Sequence, residues 1–247
     1  MKLPIATFIN VATITVGSFL GLWLQQLLTD DMQQIIFQAI GLGTIVIGIQ
    51  MALKVPEGYM LIFIMSLIIG GLVGELLDLQ DFLNGLGDQL KNSLSIGDAT
   101  FTEGLVTAFL LFCIGSMTLV GAIEEGVQGN RELLLVKSLL DGVSSIALAS
   151  AYGIGVWFSI FPLLILQGGT TLLAAKIAPF ITDNILHQIT AIGGVLIIAI
   201  SIRLIDLGTI NIENLLPALV VVVLITWAYD SFQNKWQGRK ENLATDD

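Results

Sequence analysis

Polar groups able to hold an ion or a small solute recur in this chain inside stretches that are otherwise hydrocarbon. The clearest is Gln167-Gly168-Gly169-Thr170-Thr171, at the centre of LLILQGGTTLLAAKI. A glycine pair weakens a helix and bares its backbone, and the Gln and Thr oxygens beside it are ligands for an ion or polar solute. Asn10 and Thr13 precede a second such stretch, Thr15-Val16-Gly17-Ser18. In FCIGSMTLVGAIEEG, Gly115, Ser116 and Thr118 supply hydroxyls. KSLLDGVSSIALAS carries Lys137 and Asp141 four residues apart, followed by Ser144 and Ser145. Polar groups in hydrocarbon are costly and are therefore either paired or functional.

Each of these has a plain structural reading. Gln167, Thr170 and Thr171 could bond across a helix interface without binding anything. Lys137 and Asp141 at i, i+4 lie on one helical face and can pair there; the alternative is a proton- or cation-linked site with Asp141 titrating. Glu103, Glu124 and Glu125 bracket their run and read as solvated caps, although a carboxylate at a pathway mouth attracts cations. Arg203 is expected to pair with Glu75 or Asp206. Gly17/Gly21 and Gly70/Gly74 have the small-xxx-small spacing that lets helices approach closely.

The elements that must position these groups are membrane spans. Hydrophobic residues make up 55% of the chain and charged residues only 12%, with mean hydropathy +0.88. Soluble domains carry about a quarter charged residues. Apolar runs of about 20 residues match a bilayer core. Eight spans are predicted: Pro4–Leu24, Ile35–Leu53, Tyr59–Leu77, Gly104–Ile123, Lys137–Ile154, Val156–Ala175, Ile185–Ile205 and Leu215–Trp227. The fifth and sixth, separated by little, read either as a hairpin or as one broken element. The fold class is thus an all-α integral membrane protein. Residues 1–232 form a single polytopic membrane domain and residues 233–247 a polar tail. Within 78–102, apolar residues at helical spacing predict an amphipathic helix, lying on the outer surface or packed over the span ends.

Lysine and arginine are retained in the cytoplasm. With eight spans, Lys2, Lys54, Arg131, Lys137, Lys176, Lys235, Arg239 and Lys240 fall on one side and Lys91 and Arg203 on the other. Both termini are therefore expected in the cytoplasm. An inverted repeat is expected between spans 1–3 and 6–8. Ala39-Ile40-Gly41 matches Ala191-Ile192-Gly193 at an offset of 152, and TDDMQQI resembles TDNILHQI. Chance likeness among apolar sequences is the competing explanation.

Other classes are disfavoured. Net charge −10 argues against nucleic acid, and the single cysteine, Cys113, permits no intrachain disulfide. The single histidine, His187, excludes a multi-histidine metal site. No enzyme motif such as H-E-x-x-H, Walker A or G-x-S-x-G occurs. No catalytic residue, metal or cofactor is expected.

FINVATITVGSFLG, GLGTIVIGIQMAL, TAFLLFCIGSMTLVGAIEEGVQGN, KSLLDGVSSIALASAYGIGVWFS, LQGGTTLLA and NLLPAL resemble the bacterial membrane-protein family known as domain of unknown function 554. The resemblance covers about residues 3–230. It implies a bacterial inner-membrane protein and transfers no site residues.

The leading expectation is secondary transport, or passive conduction, of a small solute or cation, with proton or cation coupling open. Asn10, Ser116, Thr118, Gln167, Thr170 and Thr171 would line the site, with Ser144 and Ser145 nearby and Asp141 and Glu103 giving negative charge. The expected partners are the lipid bilayer and that solute, and self-association into a homo-oligomer stays open. The alternative is a non-transporting scaffold or regulatory subunit whose polar residues only hold helices together.

Overall fold

The computed structural model describes residues 3–27, 29–83, 85, 100–114 and 116–245. No strand occurs among the described residues. Besides a short helical stretch at 79–83, ten helical elements are described, in order: α1 Ile5–Gln25, α2 Asp30–Ala52, α3 Met60–Leu76, α4 Phe101–Cys113, α5 Ser116–Val127, α6 Glu132–Tyr152, α7 Gly155–Phe180, α8 Asp183–Leu204, α9 Ile212–Leu215 and α10 Ala218–Thr245.

Six segments among the described residues are long and apolar enough to cross a bilayer: α1, most of α2, α6, α7, α8 and Ile212–Gln233. The predicted third and fourth spans account for the shortfall from eight. The third, α3, has 17 residues, and a straight crossing needs about 20. The fourth is interrupted at Ile114, where the backbone is extended (φ −105°, ψ 102°). Its halves α4 and α5 meet at a 57° bend. The chain is a multi-pass helical membrane protein. Of the predicted amphipathic segment only the ends are seen: 79–83 is helical, and 86–99 lies outside the described residues. The polar tail is helical through Thr245.

The fifth and sixth spans form a hairpin. Gly153 closes α6 with φ 74°, a conformation costly for residues bearing a Cβ. Asn10 bonds Asp141 and Ser145 bonds the Ile14 carbonyl, both at a sequence separation of 131, so α1 and α6 run parallel. Along α7 the order reverses: Trp157 reaches Thr15, and Gln167 reaches Thr7. Ala6, Lys54, Glu132 and Thr182 therefore lie toward one end of the bundle, called the basal end below. Tyr152 and Arg203 lie toward the other.

Between helices in lipid there is little hydrophobic drive, so close approach of small residues matters more. On the α1–α6 seam, a Cβ on Gly17 would overlap the Gly142 carbonyl and Ser145 Oγ. A second seam joins α2 and α8 in antiparallel fashion, with Gly48 against Gly194 and Thr44 Oγ1 2.7 Å from Ser201 Oγ. In a third, Gly70 meets Ala218 and Gly74 meets the Asn214 backbone. Both predicted small-xxx-small pairs are thus packing surfaces. Ile14, Leu148, Tyr152, Leu163 and Leu196 form part of the continuous core, while Val16, Leu139 and Ile165 face outward.

Candidate functional site

A buried polar chain crosses three helices. It begins with the Lys137–Asp141 ion pair, where Lys137 Nζ reaches Asp141 Oδ2. Asn10 Nδ2 donates to the same Asp141 oxygen at 2.8 Å and to Gln167 Oε1 at 3.2 Å. Gln167 Nε2 in turn donates to Thr7 Oγ1 at 3.2 Å. Lys137, Asp141, Asn10 and Gln167 are at most 6% exposed. An isolated charge here would be prohibitive, and pairing with the hydrogen bond from Asn10 offsets part of that penalty. Asn10 Oδ1 is left without a partner.

Local structure places each group. The i, i+4 spacing on α6 brings Lys137 onto Asp141. Thr13 Oγ1 donates to the Ser138 carbonyl at 2.8 Å and fixes the register of α1 against α6. Gln167 lies in a π-helical turn, Leu164–Gly168, within α7. Such turns are rare and concentrate at functional sites. The turn keeps α7 continuous, so the glycine pair does not break the helix. Thr170 Oγ1 donates to the Leu166 carbonyl and Thr171 Oγ1 to the Gln167 carbonyl. Both hydroxyls are thus engaged by their own helix.

Next to the ion pair is a half-open cavity of about 370 Å³, bounded by α2, the α4–α5 break, α6 and α8, with Ile47 and Leu140 of its wall exposed. Its apolar lining is Ile47, Met51, Leu111, Ile114, Met117 and Leu140. Its polar lining is Lys54, Thr118, Lys137, Asp141, Ser144 and Thr190. Small-molecule pockets typically span about 300–1,000 Å³ with a few convergent polar groups. The helix break shapes one wall. Thr118 Oγ1 donates to the Phe112 carbonyl at 3.1 Å, engaging a backbone acceptor beside the interruption. Lys54, just past α2, is exposed and stands at the basal mouth.

The predicted site residues divide between these two features. Thr118, Asp141 and Ser144 line the cavity; Asn10 and Gln167 form the chain behind it, joined through Asp141. Ser145 turns away, donating to the Ile14 and Gly142 carbonyls on the α1 seam. The Ser116 side chain lies outside the described residues. Glu103 is elsewhere: with Glu213 it pairs with Arg203 near the Tyr152 end. That corrects the expected partners of Arg203; Glu75 instead accepts from Asn214 Nδ2 at 2.7 Å. Glu125, expected in water, is fully buried and accepts from the Ala6 N–H and Arg131 Nε. It therefore caps the first turn of α1, where N–H groups lack intrahelical acceptors.

Lys54 and Thr190 were missed as lining residues. Each is an isolated polar residue at the edge of, or within, an apolar run, and nothing in their spacing links them. Among the described residues no three His, Cys, Asp or Glu side chains are grouped to hold a metal ion.

Comparison with known proteins gives a family. The family described as "protein of unknown function (DUF554)" matches residues 5–227. The chain is 32% identical over 228 residues to the uncharacterized membrane protein YdfK of Bacillus subtilis (strain 168), covering 92% of this chain and 97% of that one. It is 28% identical over 233 residues to the uncharacterized protein YqgA of Escherichia coli (strain K12), covering 92% and 98% respectively. No solved structure matches significantly. The chain belongs to the DUF554 family.

Proposed function

We propose that this protein moves a small solute across the bacterial inner membrane, as a secondary transporter or a passive conductor, without enzymatic chemistry. The observation that carries the reading is the cavity of about 370 Å³ ending on a buried Lys137–Asp141 pair beside an interrupted helix. Irregular backbone at membrane depth is tolerated where it lines a cavity or is buried in protein, and discontinuous helices build many transporter sites.

In this reading the fourth span is one broken crossing and α3 a short tilted one, giving eight spans with both termini cytoplasmic. Lys54 and the cavity mouth then face the cytoplasm, and the Arg203–Glu103–Glu213 cluster seals the outer end. Features in favour of an inverted repeat of spans 1–3 and 6–8 are the antiparallel seams of α1 with α7 and of α2 with α8. The matching Thr29 and Thr182 N-caps, accepting from Met32 N and Ile185 N, add to them.

Flux into proteoliposomes, measured with labelled organic acids, amino acids and monovalent cations, tests the proposal. A Ser144→Trp variant, which fills the cavity from α6, should abolish whatever flux is found. Failure of every solute to move, with and without ion gradients, would sink it. One observation favours the scaffold reading for part of the network. Gln167 is fully buried and its amide faces Asn10 and Thr7, not the cavity. Gln167 is accordingly assigned a positioning role behind Asp141.

A further inference from the structure

The charge on the cavity wall is opposite to the sign that Asp141 suggests in the sequence. Two lysines, Lys54 and Lys137, line it against the single carboxylate of Asp141. That carboxylate is already engaged: the same oxygen accepts from Lys137 Nζ and from Asn10 Nδ2. Asp141 Oδ2 thus carries both bonds, and the carboxylate's charge is balanced by an ammonium tethered four residues away on the same helix. Lys54 forms no ion pair among the described residues. Met117 and Thr118 belong to the first turn of α5, whose N-terminus carries a partial positive charge, while Met51 and Lys54 stand at the C-terminal end of α2, which carries a partial negative one. The rest of the wall is apolar at Ile47, Met51, Leu111, Ile114 and Leu140, with hydroxyls at Ser144 and at Thr190, whose Oγ1 donates to the Leu186 carbonyl.

Resting on the reading of this cavity as a solute site, we infer that its ligand is a small monocarboxylate with a short apolar tail. The carboxylate sits between Lys137, Lys54 and the start of α5, and the tail lies on the apolar wall. Lys137 is shared. It bonds Asp141 when the cavity is empty and divides its donors between Asp141 and the ligand when it is filled, since an ammonium has three. Asp141 thereby keeps Lys137 from standing unpaired in hydrocarbon between binding events, and Asn10 holds Asp141 in place.

The test uses the full chain in phosphatidylcholine nanodiscs with radiolabelled octanoate as probe. Octanoate is expected to bind saturably, and octylammonium, with the same tail and the opposite charge, is expected not to compete. Lys54→Gln alters an exposed mouth residue and should fold, yet weaken octanoate binding about tenfold. The double variant Lys137→Gln with Asp141→Asn keeps the shape and hydrogen bonding of the pair without its charge, and should bind at least about tenfold more weakly. Asp141→Asn alone removes the competing carboxylate and should tighten binding; if that variant misfolds, the other two decide. Competition by octylammonium equal to that of octanoate, or unchanged binding in both lysine variants, overturns the inference. So does displacement of octanoate when phosphatidylglycerol replaces phosphatidylcholine, which would assign the cavity to a lipid headgroup. Octanoate binding without flux refutes the transport reading and leaves this one standing. Flux of uncharged or cationic solutes without octanoate binding does the reverse.

Discussion

Replacing Lys137 by Met would leave the Asp141 carboxylate, 6% exposed, facing Asn10 with no counter-charge. Breaking one side of a buried pair costs about 3–5 kcal/mol, because the surviving charge keeps its desolvation penalty. Asp141→Leu should cost a similar amount by stranding Lys137, 5% exposed, in the same place. Removing both charges with hydrophobic residues of like volume is often neutral. The double variant still deprives Asn10 of one acceptor, a loss of about 0.6–2 kcal/mol between membrane helices. The double should therefore be more stable than either single. At about 2–4 °C per kcal/mol for a chain of this size, each single variant should melt about 6–20 °C below the parent. Tryptophan fluorescence in mild detergent follows the transition. A double variant as unstable as the sum of the singles would mean that the two charges are not coupled, and the site as described would be wrong.

Gly48→Ala should destabilise, because its Cβ would press on the Gly194 carbonyl oxygen at 2.7 Å, whereas Gly43→Ala meets nothing within 4 Å. The second substitution should gain up to about 1 kcal/mol from helix propensity, and thermal melts of the two compared with the parent separate these outcomes. Gln167→Ala removes bonds to Asn10 and Thr7 and should cost about 1–3 kcal/mol at about 0.6–1.7 kcal/mol per bond, while the cavity walls stay in place. Solute uptake normalised to folded protein checks that it acts through position. Cysteines placed at the exposed Gln233 and Gly208 in a Cys113→Ser background should react with an impermeant maleimide from opposite sides of the membrane. Labelling of both from one side would refute the eight-span topology.

The membrane class and the helical segments were legible because hydrocarbon thickness dictates their length. The Lys137–Asp141 pair was legible because i, i+4 spacing is a local rule. What spacing alone could not supply was which of the parallel or antiparallel neighbours each helix would choose. That choice sets Asn10 against Asp141 and Gln167, and it sends Glu103 to Arg203 at the far end. It also decides that Thr118 and Thr190 line the cavity while Thr170 and Thr171 do not, although Thr190, like those two, bonds a carbonyl of its own helix. Glu125 misled for a related reason. A carboxylate beside a predicted span end reads as solvated, and only the start of α1, 119 residues away in sequence, buries it. The break at Ile114 was marked only by a Gly-Ser-Met-Thr stretch that serves equally well in an unbroken helix.

The parallel α1–α6 seam also sets an order of events at the ribosome. Asn10 meets its Asp141 acceptor only after 131 further residues have been made. At about 5–20 residues per second this takes about 7–26 s. During that interval α1 is in the bilayer with a polar amide and a glycine-lined groove and no helix to cover them. α6 must then arrive and slot in beside it, after the helices between them have been made. The first span of this protein is one of the last to be seated, and a chaperone or insertase that shields its small-residue face would act in that window.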